Sequence, residues 1–185
     1  MGFGKDHISD SEFFDVVTLL DYNEDSKQLT TIPEDLDSLL VIQPLNFSEQ
    51  AIYAIDQFAL NGGNILIALD PNVTVAAGIE YDRKLDYLLE KWGVRIIPDL
   101  VAGDLELARP AQVGDRGERV YNNYLALLGV TKKYINQQDP IVSGIDLLNL
   151  TTAGAIEELP GATTDITSII STSKQSMLIS KDNVS

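Results

Sequence analysis

Cysteine is absent from all 185 residues. That excludes disulfides, thiolate nucleophiles and cysteine-ligated zinc, and it leaves the redox compartment open. Histidine is nearly absent as well: His7 is the only one, in a polar N-terminal stretch. A Ser-His-Asp triad or a two-histidine metal site would have to be built on that residue, so neither is expected. Basic residues are few, 13 Lys and Arg against 28 Asp and Glu, for a formal net charge of −15. Nucleic acid and anionic membrane surfaces are bound through clustered Lys and Arg, and here no more than two stand together, as in Lys132-Lys133. Both are poor partners, and the acidity reads first as a solubility device. No run approaches the roughly 20 apolar residues that a helix needs to cross a bilayer, and no signal peptide is visible.

What is present suits a packed domain: 44% hydrophobic and 22% charged residues are ordinary for a globular protein. The opening MGFGKDHISDSE and the closing SKDNVS have ragged compositions. Residues 1–12 are therefore expected to be a disordered or expression-derived N-terminus, residues 13–180 a single α/β domain, and the whole a piece of a longer protein.

Along the chain, FFDVVTLL (13–20) and SLLVIQPL (38–45) read as strands rich in β-branched and apolar residues. Ser48 can cap a following helix, with Glu49 favourably placed in its first turn. Ile52, Ile55, Phe58 and Ala59 recur at helical spacing, and Gly62-Gly63 should stop the helix with a left-handed cap. The next strand, Ile65 to Leu69 in GNILIALDPN, is short and continuously apolar, the pattern of a strand buried on both faces. Strand, helix and strand make a βαβ unit. LDYLLEKWG reads as a second amphipathic helix ended by glycine, and VRIIPDLVAG as a strand that Pro98 interrupts or confines to an edge. The polar centre, 104–120, suggests a hairpin or an ordered loop. The period of YNNYLALLGV is unsettled, and GATTDITSIISTSKQSMLI favours strands. The expected fold class is α/β: a mainly parallel central sheet flanked by helices, with a β-rich addition from about Val94.

Several motifs invite chemistry. DYNEDS (21–26) resembles the start of a calcium loop, but Ser26 and Ile32 stand where glycine and a bidentate Glu are needed. NGGN (61–64) follows a helix and precedes a strand, the reverse of a phosphate-binding loop, so it is a cap. Asp70-Pro71-Asn72 would leave the sheet beside the end of the neighbouring strand at Asn46. Ligands of open α/β sheets sit at such strand ends, which makes Asn46, Asp70 and Asn72 the candidate ligand-binding residues; a turn-forming role is the alternative. A lone carboxylate with amides lacks the partners a reaction needs. No catalytic residue, metal site or cofactor is therefore expected. Asp104 with Glu106, or Asp115 with Glu118, are carboxylate pairs of the kind glycoside hydrolysis uses, if folding places them across a cleft. Four N-x-S/T sequons, at Asn46, Asn72, Asn149 and Asn183, matter only on a glycosylating secretory route.

Four stretches together resemble one family: IPEDLDSLLVIQPLNFSEQAIYAIDQFALNGGNILIALDPN, LDYLLEKWGV, DPIVSGIDLLNLTTAGAIE and GATTDITSIISTS. In this order they are similar to the auxiliary components of ABC transporters associated with gliding motility (GldG-like proteins). The resemblance implies a soluble, periplasmic or other extracytoplasmic domain of a bacterial inner-membrane protein, anchored through segments outside this chain. It implies a glutamine-amidotransferase-like or flavodoxin-like α/β fold without that enzyme chemistry, since the nucleophilic cysteine is missing. The implied partners are the permease and ATPase subunits of the transporter, with an envelope ligand such as a glycan as a further expectation. Family members usually carry an additional strand and helix before the segment matching FFDVVTLL, which raises the alternatives of a homodimer or a strand swap. The leading function is a non-enzymatic auxiliary domain working by protein contact or envelope-ligand binding. The alternatives are a carboxylate-dependent hydrolase acting on envelope sugars and a purely structural spacer.

Overall fold

The computed structural model describes residues 15–19, 29–43, 47–70, 83–113 and 120–184. The chain divides into two compact units, Met1–Leu69 with Val75–Leu88, and Asp70–Thr74 with Leu89–Ser185.

In the first unit, strand β1 (Ser38–Ile42) pairs in parallel with β2 (Asn64–Ala68), from Ser38 opposite Asn64 to Ile42 opposite Ala68. Gln43 prolongs the ladder, its N–H donating to the Ala68 carbonyl at 2.8 Å. Between the strands runs helix α1 (Glu49–Leu60). Ser48 has the extended backbone of an N-cap, and its hydroxyl accepts from the Ala51 N–H at 3.1 Å. That satisfies one of the donors that a helix start leaves free, and Glu49 meets the positive end of the dipole. Ala51, Ala54 and Ile55 form the buried stripe. The far end closes as a Schellman motif: Gly62 donates to Ala59 O, and Gly63 to Phe58 O, both at 2.9 Å. Gly62 has φ +89°, a conformation that costs glycine alone nothing. Helix α2 (Lys84–Lys91) buries Leu85 and Leu88.

The second unit is antiparallel throughout its described strands. Strand β3 (Val94–Ile97) pairs with β8 (Ala155–Glu158), and β4 (Leu100–Asp104) with β9 (Ser176–Ser180). Strand β6 (Val120–Thr131) lies between β5 (Ala108–Val113) and β7 (Leu147–Thr151). Pro98 and Asp99 turn the chain from β3 into β4, with Asp99 at φ 58°. Lys181 fixes this turn to the end of β9, donating from its backbone N–H to Asp99 O at 3.0 Å and from Nζ to Asp99 Oδ1 at 2.6 Å. The β6–β7 register sets Leu128 beside Leu150 and Val130 beside Leu148. These join Ala102, Leu107, Ile135 and Val142 in one apolar core. Alternate residues of a strand share a face, so one side of β6 and β7 supplies the core and the other is left outward.

Asp104 closes this unit. Its side chain is fully buried at the end of β4. Oδ1 accepts from the N–H groups of Glu106 (2.8 Å) and Leu107 (3.1 Å) and from the Ser173 hydroxyl (2.8 Å). Oδ2 accepts from the Ser173 N–H at 2.6 Å. The carboxylate thus forms the turn into β5 and holds a segment 69 residues away. Burial pushes its pKa up, but the hydrogen bonds from Ser173, Leu107 and Glu106 outweigh it and leave the group below its ordinary value.

The expected mainly parallel central sheet flanked by helices is not what forms. Strands β1–β9 make four small sheets, three of them antiparallel, and the described residues contain two α-helices. The βαβ unit is real, but it supplies only one pair of parallel strands. The reason lies in burial: along β2 exposed and half-buried residues alternate, with Leu66 65% exposed, so Ile65–Leu69 is not covered on both faces. A parallel sheet grows when helices cover both sides, and β1–β2 has one side bare. Asp15–Leu19 is not strand, and the rest of the expected first strand lies outside the described residues. Residues 161–175 contribute a single bridge, Ile170 with Ile135, before β9 begins. The interruption at Pro98, the β5–β6 hairpin and the glycine cap agree with expectation.

Two outcomes follow for stability. Gly62→Ala meets no neighbouring atom but forces a methyl group into the left-handed region. It should lower the unfolding free energy by about 1 kcal/mol, and Gly62→Asn by less, in urea denaturation. Asp104→Ala strands three backbone N–H groups and a hydroxyl and should cost about 3 kcal/mol. Because the folded carboxyl titrates below the unfolded one, its contribution is complete above the unfolded pKa of about 4 and is lost as pH falls through the folded value. Acid denaturation curves of the wild type and Asp104→Asn should therefore converge as pH drops below about 4.

Candidate functional site

Of the three residues expected at a strand-end crevice, Asp70 lies half-buried two residues beyond β2, while Asn46 and Asn72 fall outside the described residues. The calcium-like DYNEDS segment and the pair Asp115 and Glu118 also lie outside them. The other carboxylate pair is brought together but not as a catalytic pair. Asp104 has both oxygens filled by donors, three of them backbone N–H groups. Glu106 is engaged by Lys133 Nζ at 2.7 Å, and the same ammonium donates to the Tyr134 hydroxyl at 2.7 Å and lies 4.6 Å from its ring centre. Lys133 first, then Tyr134, lowers the Glu106 pKa. Neither carboxyl is placed to carry a proton to a substrate.

The hydroxyl-rich GATTDITSIISTS segment works as a set of ties, a role its composition alone does not disclose. Thr164 donates to the Trp92 carbonyl, Ser168 to Ile170 O at 3.2 Å, and Ser173 to Asp104. Among the sequons, Asn149 on β7 and Asn183 after β9 are exposed. The described residues contain no group of three His, Cys, Asp or Glu that could hold a metal ion, and no helix of theirs is long and apolar enough to cross a membrane.

An exposed apolar face and a shallow hollow lie on the first unit. Register sets Leu40 beside Leu66 and Ile42 beside Ala68. All four are exposed, with Leu40 at 57% and Ile42 at 66%. Together they make a contiguous apolar face on β1–β2. Sequence reasoning missed it because SLLVI and NILIA are apolar at nearly every position, so no polar alternation marks the outward side. A shallow hollow of about 280 Å³ is lined by Glu49 and Ile52 of α1 and by Lys84 and Tyr87 of α2. Lys84 Nζ donates to the Phe47 carbonyl at 2.8 Å, tying the start of α2 to the entry of α1.

No curated protein and no solved structure matches this chain. A family model does, described as an ABC-type uncharacterized transport system, over residues 7–185. With nearly the whole length matched, the chain belongs to this family of auxiliary components of ABC transport systems.

Proposed function

We propose that the chain is a non-enzymatic contact module of its ABC transport system, binding another protein of that system through the apolar face of β1–β2. Leu40, Ile42 and Leu66, paired side by side and left in water, are the observation that carries this reading. Covering what remains exposed of each would gain about 1 to 2 kcal/mol. The net charge of −15 disfavours a second acidic copy or an anionic membrane as the cover, and family membership supplies the natural candidates, the permease and ATPase subunits. The resemblance to gliding-motility auxiliary components supports an extracytoplasmic position for the module. The commitment of Asp104 and Glu106 to internal partners counts against a carboxylate-dependent hydrolase built on that pair.

Glycan binding has one observation in its favour, the hollow beside the exposed Tyr87. Its volume of about 280 Å³ falls just below the range typical of ligand pockets, and protein contact is the stronger reading.

Co-expression with the permease and ATPase subunits of its ABC transport system tests the proposal. The wild-type chain should co-purify with one of them, and Leu40→Lys combined with Leu66→Lys should weaken that association roughly tenfold or more. Both positions are exposed, so circular dichroism and melting should be little changed. Undiminished co-purification of the double variant would remove this face from the interface.

A further inference from the structure

The outward side of the three-stranded sheet carries a cation that the described fold does not neutralise. Arg109 on β5 is half-buried, yet none of its guanidinium N–H groups meets an acceptor among the described residues. Arg95 shows the contrast: Glu90 and Glu157 hold it at 3.0 and 3.1 Å. In a chain with 28 acidic residues, carboxylates to neutralise Arg109 are plentiful in composition.

Its position is built rather than incidental. The β5–β6 register breaks between Ala108, which faces Leu128, and Arg109, which faces Tyr124. Across this irregularity the Arg109 side chain lies on Gly129 of β6. A methyl carbon placed on Gly129 would fall 1.8 Å from Nε, 2.5 Å from Cζ and 2.6 Å from Nη2. Glycine inside a strand weakens it and often marks close approach by another group; here the group is the guanidinium. Gly129 pairs with Asn149 on β7. Directly paired residues project to the same face, so the exposed Asn149 amide is the neighbour across the strand. Thr131 and Thr151, two positions along β6 and β7, share that face.

We infer that Arg109, seated on Gly129 with Asn149 beside it, is a binding site for a carboxylate group. A guanidinium presents parallel N–H donors that match a carboxylate in two-point contact. The neutral Asn149 amide, across the ladder from Gly129, complements a singly charged planar anion. Phosphate shares the fork geometry, but the net charge of −15 repels a dianion more strongly than a monoanion. The site lies in the second unit and is independent of the apolar face on the first.

The test follows the Arg109 Nε–Hε resonance of the full chain by NMR while sodium acetate, galacturonate, N-acetyl-aspartate amide or inorganic phosphate is added. A saturable shift with acetate is expected, with a dissociation constant of about 1 mM or weaker for so small a contact. A tighter response to galacturonate would identify a sugar acid as the source, and a tighter response to the aspartate derivative an acidic protein segment. Arg109→Lys, which keeps charge but loses the fork, should weaken binding about tenfold, read from the Asn149 amide signals. Gly129→Ala displaces only the end of a flexible side chain, so the fold should persist while binding falls by a similar factor. Absence of a saturable shift with every carboxylate, tighter binding of phosphate than of any carboxylate, or unaltered affinity in Gly129→Ala would each overturn the inference.

Discussion

The carboxylate of Asp104 collects four donors from two distant parts of the chain, and the second unit is organised around it. A buried charge is expensive unless its oxygens are filled. Once they are filled, the same group becomes specific, because only one arrangement of the β4–β5 turn and the Ser173 segment satisfies it. That arrangement puts Gln175 where its N–H reaches the Ser173 hydroxyl at 3.0 Å, and β9 then runs back along β4. Lys181 completes the strand by capturing Asp99. Polar ties at both ends of β4 therefore fix a strand whose middle, Val101 to Gly103, is buried.

Local signals in the sequence were reliable where one segment held all the partners. Ser48 and the Gly62-Gly63 pair define both ends of α1, because each cap bonds to residues within the same helix. The parallel pairing of β1 with β2 was legible for a similar reason, since the helix between them is short and regular. Extending that one unit into a whole parallel sheet failed. The apolar run Ile65 to Leu69 gives its strand state but not its number of covered faces, and here one face is open. The later strands pair over long separations, β4 with β9 and β3 with β8, and neither periodicity nor propensity specifies such partners. Of the candidate ligand residues, only Asp70 lies within the described structure, half-buried beyond β2. Arg109 was unreadable as a site because its seat on Gly129 depends on an irregular register between two strands.

The two units carry different surface chemistry on a common acidic background. The first shows water an apolar strip, the second an arginine resting on glycine. In the hydroxyl-rich segment, Thr164 and Ser168 donate to backbone carbonyls and Ser173 to Asp104. The apolar strip on the first unit is the feature on which the proposed contact role in a transport system rests.

The pairing of β4 with β9 also sets a timetable for synthesis. Asp104 leaves the ribosome 69 residues before Ser173, an interval of roughly 3 to 14 s at ordinary elongation rates. Throughout that time β4 has neither its sheet partner nor donors from Ser173 for its terminal carboxylate. Until Ser173 emerges, β4 therefore stands as an unpaired strand edge, open to association with other chains.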